Sequence, residues 1–195
     1  MSNLVYKNKN TTLQLNSQTG KWEVEFSGMK IHNLEAAVKT GEDVIVKSTD
    51  FEVHYVQETE EKNEIGLCRK IEFIHEGQQK YKMCQEFCLY EDGTLTVNVK
   101  IMSDEIFTTN AIFPVYEVGN DTVVELEKYP VRFLSAPFDN DKWAKFVDYS
   151  VNYAKPSYEF SAIHSENGKE GLVIGSVDHD TWKTAIEVKT DTEGR

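Results

Sequence analysis

The chain has 195 residues, of which 33 are acidic and 21 basic, so its formal net charge at pH 7 is -12. A chain of this length buries a core of its own, and we expect one domain over residues 1–195. The longest basic cluster is Arg69-Lys70. The acidic balance therefore argues against nucleic acid and anionic membrane surfaces as partners.

The chain carries no sequence signal for a membrane or an export route. No apolar run approaches the roughly 20 residues that span a bilayer, and the segment 1–7 lacks the apolar core of a signal peptide. We expect a soluble chain. The sequence does not identify its compartment, because a chain that begins after a removed signal peptide shows no such signal, and its parent protein would then be secreted or periplasmic.

Apolar and polar side chains alternate with a period of two along most of the chain, which predicts antiparallel strands. The predicted strands are 11–15, 22–26, 44–47, 51–55, 65–74, 81–90, 94–101, 106–118, 122–127, 130–134, 145–153, 158–164, 171–177 and 183–189. Residues 32–40 alone have a helical composition, with one apolar stripe at most. About fourteen short strands exceed one open sheet, so the sequence predicts an all-β fold, a large antiparallel sandwich of two sheets.

Three cysteines, Cys68, Cys84 and Cys88, are too few for a disulfide framework. If 65–74 and 81–90 form a hairpin whose paired residue numbers sum to 156, Cys68 lies opposite Cys88. The sequence allows either a disulfide between them or buried free thiols, and free thiols are the simpler interpretation.

Two segments near the end of the chain combine acids, an amide or imidazole, and an indole, the groups that hydrogen-bond sugar hydroxyls and stack on a pyranose. They are residues 137–143 and 175–183. The candidate sugar-contacting residues are Asp139, Asn140, Asp141, Trp143, His179, Asp180 and Trp182. The same residues also suit a purely structural role, because Asp and Asn side chains commonly form turns.

The sequence gives weak support for catalysis by this chain. Asp139 and Asp141, like Asp178 and Asp180, are spaced so that each pair lies about 6–7 Å apart on one face of an extended segment, near the carboxylate spacing of glycoside hydrolysis. No histidine pair has metal-site spacing, and no nucleotide-binding or serine-hydrolase motif occurs. We therefore assign no catalytic residue, metal or cofactor.

Residues 132–184 resemble the N-terminal domain of α-galactosidase-like glycoside hydrolases of the family 36 type. The matching segments are Arg132-Phe133-Leu134, Pro137 to Asp141, Ser157-Tyr158-Glu159, Gly171 to Val177 and His179 to Thr184. The resemblance implies a β-supersandwich of the galactose-mutarotase-like kind, placed before a TIM barrel that carries both catalytic carboxylates. Because such a barrel needs about 250 residues, the resemblance implies that the catalytic domain is absent from these 195 residues.

The resemblance implies a noncatalytic domain that packs on a C-terminal catalytic barrel, with a galactoside-like carbohydrate as the ligand and the two segments shaping the rim of the sugar pocket. The chain stops at Arg195 without a final turn, which suggests a piece of a longer glycoside hydrolase. The alternatives are a stand-alone carbohydrate-binding module and a sugar mutarotase or epimerase, in which His179 or His164 would transfer a proton.

Overall fold

The computed structural model describes residues 3–27, 29–117, 124–125, 130–138, 145–178 and 183–188. The strands are β1 (Asn3–Asn8), β2 (Thr11–Asn16), β3 (Trp22–Phe26), β4 (Met29–Thr40), β5 (Ile45–Lys47), β6 (Val53–Lys62), β7 (Leu67–Glu76), β8 (Tyr81–Tyr90), β9 (Leu95–Ser103), β10 (Thr109–Tyr116), β11 (Val124–Glu125), β12 (Val131–Ser135), β13 (Val147–Ser150), β14 (Ser157–Tyr158), β15 (Phe160–Ser165), β16 (Gly171–Gly175) and β17 (Ala185–Ile186). Two short 3-10 turns cover Ser48–Asp50 and Val151–Tyr153.

Of the described residues, 63% lie in strands and 4% in helical turns, and the fold is the predicted all-β antiparallel sandwich. The chain divides into two compact units, residues 1–123 and 124–195, which are described separately. The expectation that residues 1–195 form a single domain stays a prediction. Within the described ranges, no helix is long and apolar enough to cross a bilayer.

The first sheet of unit 1 has the strand order β1-β2-β3-β4-β10, with β5 also paired to β4. The helical interpretation of residues 32–40 is wrong, because these residues belong to β4, the longest strand of this sheet. Leu34 and Val38 are both buried there, so packing in the sheet outweighs the modest helix propensity of this segment. Asn33 has a φ of 56° at an irregularity in the β3–β4 register, and this bulge hides the strand alternation in the sequence.

The second sheet of unit 1 has the order β6-β7-β8-β9. The predicted hairpin of β7 and β8 forms, but its register differs from the one that would place two cysteines opposite each other. Cys68 pairs with Tyr90, and Cys88 pairs with Lys70, so the paired residue numbers sum to 158. Cys68, Cys84 and Cys88 are all buried free thiols, as in the simpler interpretation.

The two sheets of unit 1 enclose its hydrophobic core. Trp22 of the first sheet meets Phe87 of the second edge to face, with ring centroids 5.0 Å apart. A second cluster joins Val38 of β4 to Met83 of β8 and Val99 of β9. Because each buried side chain of this size contributes about 1.5–3 kcal/mol, these contacts fix the sandwich of unit 1.

Unit 2 contains a four-stranded sheet of order β13-β12-β15-β16 and a two-stranded ribbon of β14 and β17. One face of the four-stranded sheet is buried, with Phe133 at 0% and Ile163 at 5% exposure. These two residues are paired across β12 and β15. Side chains on the neighbouring positions of each strand therefore point to the opposite face, because strand side chains alternate.

Candidate functional site

All seven residues predicted to contact sugar, Asp139, Asn140, Asp141, Trp143, His179, Asp180 and Trp182, lie outside the described residues. Their roles stay predictions. The structure does describe the positions next to them in both segments: Phe138 lies directly before the first group, and Lys183 lies directly after the second. The structure therefore bears on the predicted site only through the placement of these two flanking residues.

Phe138 and Lys183 are in direct contact. The Lys183 ammonium lies 4.4 Å from the centroid of the Phe138 ring, and the Tyr158 ring meets Phe138 edge to face at 4.9 Å. A cation over an aromatic face is stabilised by the electron density of the ring. The ends of the two predicted sugar-binding segments thus come together at one place in unit 2.

Backbone hydrogen bonds hold this contact in position. Tyr158 pairs with Ala185 between β14 and β17, and the Glu159 amide donates to the Thr184 carbonyl at 3.1 Å. The Phe138 ring keeps 53% of its surface exposed. A supported, accessible aromatic ring beside an ammonium group is suited to binding a polar ligand that also has an apolar face.

A second candidate surface lies on the accessible face of the four-stranded sheet. We call it the open face. Its members follow from the strand register and the alternation of side chains, and are Arg132, Leu134, Phe146, Asp148, Ser150, Phe160, Ala162, His164, Gly171, Val173 and Gly175. It has an apolar half and a polar half.

The apolar half of the open face contains three accessible side chains. Val173 is 75% exposed, Phe146 59% and Phe160 40%. The two phenylalanine rings lie 5.9 Å apart at an angle of 32°. Single exposed apolar residues are ordinary on protein surfaces, whereas a contiguous group of them is typical of a binding surface.

The polar half of the open face is an ion-pair cluster drawn from three strands. Arg132 of β12 donates from Nε to Asp148 Oδ2 at 3.1 Å and from Nη2 to the Asp148 carbonyl at 2.7 Å. His164 Nε2 lies 3.3 Å from Asp148 Oδ1. Asp148 is thus held by two neighbours, although its side chain is 42% exposed.

The contacts of His164 favour a role in holding the Asp148 side chain in place over a role in proton transfer. Its second ring nitrogen, Nδ1, lies 3.0 Å from the Ser165 carbonyl, so both nitrogens face oxygen atoms of the protein. A general base needs a nitrogen directed at the substrate. On the adjacent strand, a Cβ at Gly171 would lie 3.0 Å from the His164 Cβ, so glycine leaves room for the imidazole.

Sequence reasoning identified Arg132 and His164, but it did not bring them together with Asp148, Phe146 and Phe160. The available signal was the period-two alternation of β13 and β15, which puts these residues on one face of each strand. The missing information was which strands are neighbours, and in which register.

Unit 1 contains a buried polar chain of three side chains. His54 Nδ1 lies 2.9 Å from His75 Nδ1, and His75 Nε2 lies 3.1 Å from Gln85 Oε1. Burial lowers the pKa of His75 to about 3, helped by the neighbouring His54, and burial also lowers the pKa of His54. Because His75 and Gln85 are fully buried, this chain belongs to the core and not to a ligand site.

Among the described residues, no group of three or more His, Cys, Asp and Glu side chains is arranged to hold a metal ion. Comparisons of the chain with family models, with curated proteins and with solved structures found no match.

Proposed function

We propose that this chain is a noncatalytic, carbohydrate-associated β-sandwich of an α-galactosidase-like glycoside hydrolase. In this proposal the open face packs on a catalytic barrel domain. The segments that contain Asp139–Trp143 and His179–Trp182 reach the rim of the sugar pocket in that barrel. The ligand is a galactoside-like carbohydrate, and both catalytic carboxylates belong to the barrel.

The open face is the observation that carries this proposal. Val173, Phe146 and Phe160 keep between 40% and 75% of their surfaces accessible, and they adjoin the cluster of Arg132 and Asp148. A mixed apolar and charged surface is typical of an interface between domains of one chain, which is more polar than a hydrophobic core. A catalytic domain packed on this face would cover these apolar side chains.

The contact between Phe138 and Lys183 supports the proposed position of the two segments at the rim. It joins the ends of both segments in unit 2, so the acids and indoles that continue from them start from one place. The arrangement of His164 supports a noncatalytic role, because both of its nitrogens already face protein oxygens.

Activity measurements on the purified chain test the noncatalytic assignment. Polarimetry follows the conversion of α-galactose to its β anomer, and release of nitrophenol from an aryl α-galactoside follows hydrolysis. We expect both rates to equal the rates in buffer alone. Mutarotation that is faster with the chain, and that is lost in His164→Asn, would replace the proposal with the mutarotase alternative.

A stand-alone carbohydrate-binding module is the second candidate, and the ring pair of Phe146 and Phe160 favours it. Two accessible rings beside hydrogen-bonding side chains suit the apolar and polar sides of a pyranose. Calorimetric titration of the chain with galactose and a galactose-containing trisaccharide distinguishes the candidates. Binding that is lost in Phe160→Ala but kept in Val5→Ala, an exposed position in unit 1, favours the module.

A further inference from the structure

Strand β16 (Gly171–Gly175) lies at the end of the four-stranded sheet, and among the described residues no strand pairs with its outer side. Its sequence, Gly-Leu-Val-Ile-Gly, has no charged residue, and its residue types are arranged symmetrically about Val173. Glycine stands at both ends, and one branched aliphatic residue stands on each side of the centre. Strand β16 therefore presents the same pattern of residue types in both directions.

The hydrogen bonds of β16 show which backbone groups point outward. At one end the Ser165 amide donates to the Glu170 carbonyl, and at the other the Ser176 amide donates to the Glu159 carbonyl. Bonded pairs alternate along an antiparallel ladder. Leu172 and Ile174 therefore direct their backbone groups to β15.

The backbone groups of Gly171, Val173 and Gly175 consequently point to the outer edge. All three residues are exposed, with Val173 at 75%. The glycines put no side chain beside the edge, so another backbone can approach closely.

Five other edge strands carry features that discourage pairing with another chain. They are Lys7 on β1, Glu58 and Glu60 on β6, Lys100 on β9, Asp148 on β13, and Pro114 with two register shifts on β10. Strand β16 has no charge, no proline and no irregularity in its pairing with β15. The edge strands β14 and β17 also lack charge and proline but have only two residues each, so β16 is the longest such edge among the described strands and is open to strand addition.

We propose that two copies of this chain pair through β16, antiparallel and about a two-fold axis at Val173. Gly171 of one copy then lies opposite Gly175 of the other, and Val173 lies opposite its own counterpart. The three outward residues form about six backbone hydrogen bonds, two for each pair. The four strands of each copy become one continuous sheet.

A second copy is the occupant that fits this edge best, because a two-fold axis requires the same surface on both partners. The reversal symmetry of Gly-Leu-Val-Ile-Gly meets that requirement. Since each copy carries a formal charge of -12, contacts between copies are least unfavourable at an uncharged segment. The pairing uses backbone groups at the edge of the sheet, whereas the proposed function uses side chains of the open face, and Val173 is the residue that the two proposals share. A chain that stays monomeric would therefore leave the proposed function standing.

Sedimentation velocity of the whole chain tests the pairing. An interface well below about 1,200 Å² belongs to the weak class, so loading concentrations from about 5 µM to about 500 µM are needed. We expect the mass to rise from the 22.4 kDa monomer towards twice that value. In Val173→Lys, two ammonium groups face each other at the axis, and we expect the dissociation constant to rise about fivefold.

Val177→Lys is the matched control, because Val177 is a valine with 67% exposure that lies beyond the end of β16. We expect it to associate like the unchanged chain. Hydrogen exchange adds a local readout: protection of the Gly171, Val173 and Gly175 amides should increase with concentration. A chain that stays monomeric throughout, or one whose association is unaffected by Val173→Lys, would overturn the proposal.

Discussion

The buried histidine chain of unit 1 predicts that acid destabilises this protein well above the range in which carboxylates titrate. His75 Nε2 faces the Gln85 carbonyl oxygen at 3.1 Å, so this nitrogen carries the proton and donates. His75 Nδ1 must then accept the hydrogen bond from His54 Nδ1, 2.9 Å away. A second proton on His75 would set two N–H groups against each other.

The magnitude follows from the lowered pKa of His75, about 3 in the folded chain because of burial and the neighbouring His54. Its unfolded value is about 6.5. The folded state binds fewer protons than the unfolded state between these values, so the stability is complete above about pH 6.5 and falls as the pH decreases towards 3. From pH 7 to pH 5 the loss attributable to His75 is about 2 kcal/mol, at about 1.4 kcal/mol per pH unit below 6.5.

The assay is urea unfolding of the whole chain at pH 7 and at pH 5, followed by the amide resonances of β7 and β8. The variant His75→Gln keeps a neutral hydrogen-bonding side chain but does not titrate. We expect the decrease in unfolding free energy between the two pH values to be smaller in this variant by about 2 kcal/mol. The comparison within each protein removes any constant cost of the substitution.

Histidine NMR tests the same reasoning directly. The Cε1 proton of His75 should keep the shift of a neutral imidazole from pH 7 to pH 5. A titration of that resonance near pH 6.5, or an equal loss of stability in the unchanged chain and in His75→Gln, would refute the assignment of a buried neutral histidine.

Three further predictions concern packing, thiol chemistry and charge in unit 1. Phe87→Ala removes the ring that contacts Trp22 and should lower the unfolding free energy by about 3–5 kcal/mol; a loss below about 1 kcal/mol in urea unfolding would contradict this. Burial raises the pKa of Cys84 to about 12, and burial together with the neighbouring Cys68 raises the pKa of Cys88 to about 11. A thiol reagent at pH 8 should therefore label these two cysteines only after unfolding. Rapid labelling of the folded chain would contradict their burial. Glu86 contacts Lys70 Nζ at 2.9 Å and Lys100 Nζ at 2.7 Å, so Glu86→Gln should cost about 1–3 kcal/mol in urea unfolding, whereas an unchanged midpoint would show that the ion pairs contribute nothing net.

The strands with clean alternation and clear turns were predictable from the sequence. The predicted bounds 81–90 agree with β8, and 22–26 agree with β3. In β8 nearly every side chain is buried, because packing covers both faces of this central strand. Local pattern sufficed here since apolar residues and turn residues agree with the final fold.

Strand β4 was missed because its alternation is broken locally. Asn33 takes a positive φ at the bulge opposite β3, and this places successive apolar residues out of phase. The polar second half of β6 was missed for another reason: its Glu and Lys side chains are mostly exposed, so no apolar pattern marks it. Long-range pairing decides both cases, and local sequence does not contain it.

The candidate surfaces depended on the same long-range information. The alternation along β12 and β15 predicts that the side chains of Arg132 and His164 lie opposite the buried face of each strand. Only the strand register shows that both lie beside Asp148. A register shift of two residues keeps every side chain on its face and still changes its neighbours. In the β7–β8 hairpin the same effect places Cys68 diagonally beside Cys88 in one buried cluster, and not directly opposite it.

The coding sequence that follows residue 195 tests the central claim most directly. The proposal of a carbohydrate-associated domain that packs on a catalytic barrel predicts an open reading frame encoding about 250 further residues of alternating strands and helices, with carboxylates at the ends of the strands. In that longer protein, Val173→Glu on the open face should weaken domain packing and lower the thermal midpoint. A stop codon after residue 195 would contradict the claim.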